Sequence, residues 1–454
     1  MKNIFLTVIF FVLASLSLVI YFVYLNSFES AEIVNVSNTE GYSYAVQLLV
    51  DGNDIYTVWT DNTPGNSEIF FVKSLNGITH FEKPINLSLN QGDSSFPRLD
   101  VTKNNVYVTW YDYSPGQSDI FFAKSEDRGN IFQIINLSNN QQASYNPWIA
   151  SSENNVYVIW NDGGESQEVD FGKGEKRIID LIVGNMEILF ARSEDEGDSF
   201  KVVNLSNTQE LSWNPRIAVE SNNVYVVWNE GTEKSDIFFA ISTNYGASFS
   251  KPINVSNSEE ESFDAGIAVD GKNVYLLWKE KISGVTDIFF AMSDNDGTSF
   301  SEPINLSNSS GQSEITRDTQ IDVFDGRVFT IWYDDTDGNF DVFFSSSAEK
   351  GLTFRTPINL SNSSSKSEFA QISVQNQNVF VIWNEFSMDE SEIMLRVSKD
   401  YGESFGDKIN LSNDAAASNI FILGPQLVAA NDGLYTIWEN KTQSTSDLFL
   451  KFFR

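Results

Sequence analysis

Twelve residues before each of eight recurring tryptophans, the chain places Gln47, Arg98, Trp148, Arg216, Gly266, Gln320, Gln371 and Gln426. Amides, guanidinium groups and an indole sharing one position suit a ligand surface. An arginine can hold a carboxylate bidentately, and an indole can stack on a sugar or clamp a peptide. Arg317 stands in the same stretch as Gln320. The competing expectation is structural: Arg98 and Arg216 pair with nearby acids while Trp148 plugs an opening.

Two further positions are acidic. Two residues after each tryptophan stand Asp61, Asp112, Asp162, Glu230, Glu280, Asp334, Glu385 and, as the exception, Asn440. The next apolar run opens with Glu68, Asp119, Glu187, Asp236, Asp287, Asp341, Glu392 and Asp447. An acid present in nearly every copy is expected to serve the repeat by accepting backbone N–H groups. One loop also reads as a Ca2+ candidate: Asp335, Asp337 and Asp341 alternate around Gly338, as a hard cation prefers. That loop is far shorter than an EF-hand loop. No other cofactor is expected, and hydrolysis by a pair of carboxylates stays open.

The tryptophans that set this register are Trp59, Trp110, Trp160, Trp228, Trp278, Trp332, Trp383 and Trp438. All but one gap lie between 50 and 55 residues. That period, filled with short β-rich runs, predicts a propeller of repeated four-stranded antiparallel blades. In the copy from Phe96 to Ser138 the strands fall at 97–101, 105–110, 118–124 and 132–137, here called A to D from the axis outwards. The last copy ends after a third strand, and Glu32–Ser37 resembles a fourth strand with nothing before it. Pairing the two closes the ring and gives eight blades. Between Asp162 and Glu187 extra residues predict a hairpin inserted in the B–C loop of blade 3, where binding faces tend to gain insertions.

Composition narrows the function. The 454 residues carry a formal charge of −33, no cysteine and one histidine, His80. Disulfides and thiolate metal sites are excluded, and nucleic acid and anionic lipid are poor partners. Residues 4–25 are uncharged and long enough to span a bilayer, and they lack the small-residue cleavage site of a signal peptide. Residues 1–28 are therefore expected to be a signal anchor, with a propeller over 29–454 displayed at the cell surface, or secreted if the segment is cleaved. Asn-X-Ser/Thr signals recur at the end of each fourth strand, where the same side chains would terminate the strand. Asn308, Asn362 and Asn440 lie outside that pattern and are the glycosylation candidates.

The turn between strands C and D carries a resemblance. It runs Ser125, Asp127, Gly129 and Phe132, again Ser193, Asp195, Gly197 and Phe200, and again Ser398, Asp400, Gly402 and Phe405. Further copies at Ser74, Ser242, Ser293 and Ser347 vary the third residue. The motif resembles the Asp box, or bacterial neuraminidase repeat, of sialidase-like propellers. The resemblance implies structural turns on the face opposite the binding site. It also implies sialidase chemistry: an arginine triad, a tyrosine nucleophile with a glutamate partner, and an aspartate acid/base on six blades. The chain departs from this. It has eight repeats, its binding-face arginines are Arg98, Arg216 and Arg317 on alternate blades, and nothing marks Tyr111 or Tyr333 as a nucleophile. The expected function is a non-catalytic module binding protein or glycan through its B–C and D–A loops. Glycoside hydrolysis, sialidase-like if present, is the alternative, and a structural envelope component a further one.

Overall fold

The computed structural model describes residues 33–453 apart from 79, 171–175, 182–184, 317–319, 388–390, 413–423 and 442–444. The expected anchor over residues 1–28 lies outside the described residues. Among those described there is no helix, and so none long and apolar enough to cross a membrane.

The strands form eight antiparallel blades, each built as A–B–C–D in sequence order. Blade 2 is typical, with Ser94–Thr102, Asn105–Asp112, Asp119–Ser125 and Gln133–Asn136. Blade 8 takes three strands from the chain's end and its fourth, Ile33–Asn35, from the start. Ile33 pairs with Lys451, Val34 with Leu450 and Asn35 with Phe449, as the complementary ends predicted. Blade 3 carries the expected inserted hairpin, Glu165–Asp170 against Lys176–Leu181, between its B and C strands.

The apolar core is divided among the eight interfaces between blades. At one interface Tyr107 and Phe122 of blade 2 pack on Ile149, Val156 and Trp160 of blade 3. At the closing interface Tyr435 and Leu448 of blade 8 pack on Val46 and Trp59 of blade 1. Every repeat tryptophan is buried in such a cluster, which explains the period: one large ring is needed per interface.

The acids two residues after tryptophan are the scaffold's own. Asp112 accepts from Trp110 Nε1 at 3.1 Å, Ser94 Oγ at 2.7 Å, Asn90 Nδ2 at 2.7 Å and the Ser114 N–H at 2.8 Å. Asp61 repeats the pattern with Trp59, Ser43 and Thr63, and Glu280 with Trp278, Ser262 and Ser258. The second acid ring pins strand D. Asp287 accepts from Asn305 Nδ2 at 2.8 Å and Ser307 Oγ at 2.7 Å, the Asn and Ser of one recurring Asn-Leu-Ser signal.

The C–D turns lie on the opposite face, docked on the A–B turn of their own blade; the Arg128 N–H donates to the Asn104 carbonyl at 2.9 Å. In that turn Ser125 Oγ donates to Asp127 at 2.7 Å and accepts the Gly129 N–H at 2.8 Å. Asp127 also accepts the N–H groups of Asn130 and Ile131. Hydrogen bonds from Ser199 and Ser193 hold Asp195, the equivalent acid of blade 3, down at about 2. The closing aromatic ring is an inter-blade wedge: Phe132 meets Phe71 edge-on with centroids 5.0 Å apart, and Phe200 meets Phe122 at 4.9 Å.

Candidate functional site: the axial funnel

Strand A differs from the sequence expectation in a way that shapes the site. It starts three residues earlier, at Ser94 in blade 2, and contains a bulge between Ser95 and Arg98. The same bulge occurs in blades 1, 3, 4, 5 and 7. Its extra residue has a left-handed backbone in each: Ala45, Phe96, Asn146, Asn214, Asp264 and Phe369, with φ from 52° to 57°. A left-handed side chain leaves the strand's alternation, and here it turns to the axis.

These residues open a funnel of about 490 Å³ on the B–C and D–A face. Its lining includes Ala45, Phe96, Asn146, Asp264 and Phe369 from the bulges, Tyr111 and Tyr333 from strand B, and Gln47, Arg98, Gln371 and Gln426 from the predicted ring. Phe96 stacks on Tyr111 at 5.7 Å, and Tyr113 meets Tyr111 edge-on at 5.8 Å, making an aromatic shelf on blade 2.

The remaining ring members have structural posts. Trp148 lies between two guanidinium groups, with Arg98 at 3.9 Å and Arg216 at 4.3 Å from the ring. Both cations lie against the indole, the structural arrangement weighed beside ligand stacking for Trp148. Arg216 is buried and donates to the Pro215 carbonyl at 2.9 Å. Gln320 is buried and donates to Thr316 Oγ1. Gln371 reaches the next blade, where its Oε1 accepts the Leu427 N–H at 3.2 Å. An inner strand has one unpaired edge, and neighbouring side chains satisfy it. Arg317 lies outside the described residues.

The proposed cation loop is tied to the protein. Asp335 accepts the Gln312 N–H at 2.6 Å, and Asp341 accepts from Asn359 Nδ2 at 2.9 Å and the Ser363 N–H at 3.1 Å. Among the described residues no group of three or more His, Cys, Asp or Glu side chains is gathered to hold a metal ion, so Asp335, Asp337 and Asp341 form no such cluster. Asn308 and Asn362 are exposed, whereas Asn440 is buried in strand B of blade 8 and is no glycan acceptor.

Charge concentrates on one wall. Lys279 of blade 5 is 7% exposed and bridges Asp264 at 2.9 Å and Glu314 of blade 6 at 2.8 Å. Burial alone would lower the lysine's pKa, but the two carboxylates hold it above its ordinary value. Asp264 also accepts from Asn214 Nδ2 at 2.8 Å, and Asn146 Nδ2 donates to Asn214 at 3.2 Å. A polar line thus runs across blades 3 to 6. Burial, with Glu314, Glu368 and Asp264 nearby, pushes the Tyr333 phenol far above its usual range. Tyr333 is held as a neutral donor, not as a ready phenolate nucleophile. Sequence reasoning missed Asp264, Lys279 and Glu314. The one signal available was proline one residue before the rim position, at Pro97, Pro147 and Pro215, directly after the left-handed residue.

No family model matches the chain, and no curated protein matches it. Solved structures do. A polysaccharide lyase of a new family, an ulvan lyase bound to -[GlcA(1-4)Rha3S]-, superposes with a TM-score of 0.50 at 12% identity, covering 78% of this chain and 91% of its own. The NanB sialidase from Streptococcus pneumoniae gives a TM-score of 0.39 at 12% identity, over 78% and 66%. The intramolecular trans-sialidase from Ruminococcus gnavus gives 0.38 at 10% identity, over 93% and 96%. The likeness to the ulvan lyase carries a β-propeller fold. These neighbours are enzymes that act on glycans, and identities this low carry the fold alone.

Proposed function

We propose that the chain is a glycan-active propeller that takes a saccharide unit into its axial funnel, in preference to the non-catalytic binding module expected from the uniform repeats. One observation carries this reading: the funnel joins an aromatic shelf at Phe96 and Tyr111 to converging amide, guanidinium, phenol and carboxylate groups. Aromatic rings match the apolar faces of sugars, and the polar groups match their hydroxyls. The propeller neighbours support the same reading at the level of fold. Hydrolysis has candidate groups here, in the Asp264 carboxylate, in Glu314 beside it and in Tyr333.

The test is incubation of the full chain with ulvan, sialyl-lactose and a panel of neutral and amino polysaccharides. New reducing ends report hydrolysis, and ultraviolet absorbance of an unsaturated uronate reports elimination. Product that disappears in a Tyr111→Ala variant supports the proposal. No product and no calorimetric binding to any member overturns it. We further propose display at the cell surface through residues 4–25, supported by that apolar run. Extraction of the full chain by salt without detergent would sink this second part.

A further inference from the structure

We propose that Lys279 is a positioning residue that fixes Asp264, in the funnel lining, and Glu314 beside it as paired acceptors, and that this wall selects sugar units presenting hydroxyl or amino donors over units presenting an acid. The inference rests on the glycan reading above and deepens it.

The geometry has three parts. Asp264 lines the funnel from a left-handed bulge position, φ 55°, the conformation that the bulge takes in six blades. Its two oxygens are engaged from outside the funnel, Oδ1 by Asn214 and Oδ2 by Lys279, yet its side chain stays 27% exposed. Glu314, adjacent to the lining residues Ile315 and Thr316, is 33% exposed and is held through Oε2 by the same ammonium. Lys279 itself is covered by Phe263, whose ring centre lies 4.7 Å from Nζ. A buried ammonium fastened between two part-exposed carboxylates orients them.

The ligand chemistry follows. An ionised carboxylate only accepts hydrogen bonds, so what meets it must donate. Two carboxylates share one lysine, and the nearby Glu368 is matched by Lys366 at 2.8 Å, so the wall keeps a net negative charge. Tyr333, neutral at this wall, supplies a donor for a sugar oxygen. A uronate or sulfate brought against this wall would lose hydration beside a net negative charge.

Calorimetry on the full chain tests this with three probes of equal length: glucosamine oligomers, N-acetylglucosamine oligomers and galacturonate oligomers. Wild type is expected to bind the first two at least about tenfold more tightly than the third. Asp264→Asn and Glu314→Gln should each erase most of that preference without weakening the galacturonate oligomer. Lys279→Arg should retain the preference and Lys279→Met lose it. If Lys279→Met does not fold by circular dichroism, the two carboxylate variants decide. Equal binding of all three probes by wild type overturns this inference while leaving the glycan reading intact. So does a folded Lys279→Met with unchanged preference. A wild type that binds none of the probes and acts on no glycan overturns both.

Discussion

Asp100 and Asp322 stand ten residues before their tryptophans, on blades that face each other across the ring. Both keep some accessible surface, yet burial raises each from 3.8 to about 6 against hydrogen bonds that pull the other way. For Asp322 those bonds come from the Val323 and Val374 N–H groups, both at 2.7 Å. The unfolded carboxylate ionises near 4 and the folded one near 6, so the unfolded state releases its proton first. Each site's contribution to stability is full below about pH 4, falls as pH rises to about 6 and is flat above, at a cost of about 3 kcal/mol per site. Urea midpoints across this range should flatten in Asp100→Asn and in Asp322→Asn, and an unchanged slope in both would refute the assignment. The scaffold acids matter through their hydrogen bonds. Asp112→Ala leaves the Trp110 indole N–H and Ser94 hydroxyl buried without their acceptor, at a cost of about 2–4 kcal/mol by denaturant titration.

Among the elements, the C–D turn is the most exacting. Gly129 has φ 83°, and a Cβ there would come within 2.5 Å of the Phe71 ring on the preceding blade. Gly129→Ala should cost about 2–3 kcal/mol through backbone strain and overpacking together, measured as a lowered thermal midpoint. That turn, the strand order and the closing pair were legible because each follows from an identity that recurs at fixed spacing. The bulge was not. It is defined by backbone handedness, its residue varies from Ala45 to Phe96 to Asp264, and the proline that follows it in blades 2, 3 and 4 gives way to Val46, Ala265 and Ala370 in blades 1, 5 and 7. Most of the funnel was hidden for that reason, since the predicted ring supplies only four of its lining residues. Trp148 shows a second limit. The two guanidinium groups against its ring come from neighbouring blades, which its own sequence position does not reveal. Blade 6 shows a third: its inner strand breaks into Ser313–Glu314 and Ile321–Phe324, a local rearrangement that the tryptophan count passes over.

At the scale of the molecule, a net charge of −33 on one ring means self-repulsion. Added sodium chloride screens it, so the thermal midpoint should rise between low and physiological salt and then level off as the Debye length shortens. A midpoint that falls over that range would show that specific ion pairs outweigh the repulsion. Ring closure adds a constraint of a different kind. Ile33 is among the first described residues to leave the ribosome, yet its partner Lys451 is among the last. Blades 1 to 7 can form in turn as they emerge, but the eighth cannot exist until residues 449–451 have been made. A nascent chain therefore travels as an open arc with two bare sheet edges, and chaperone contact should concentrate in that interval.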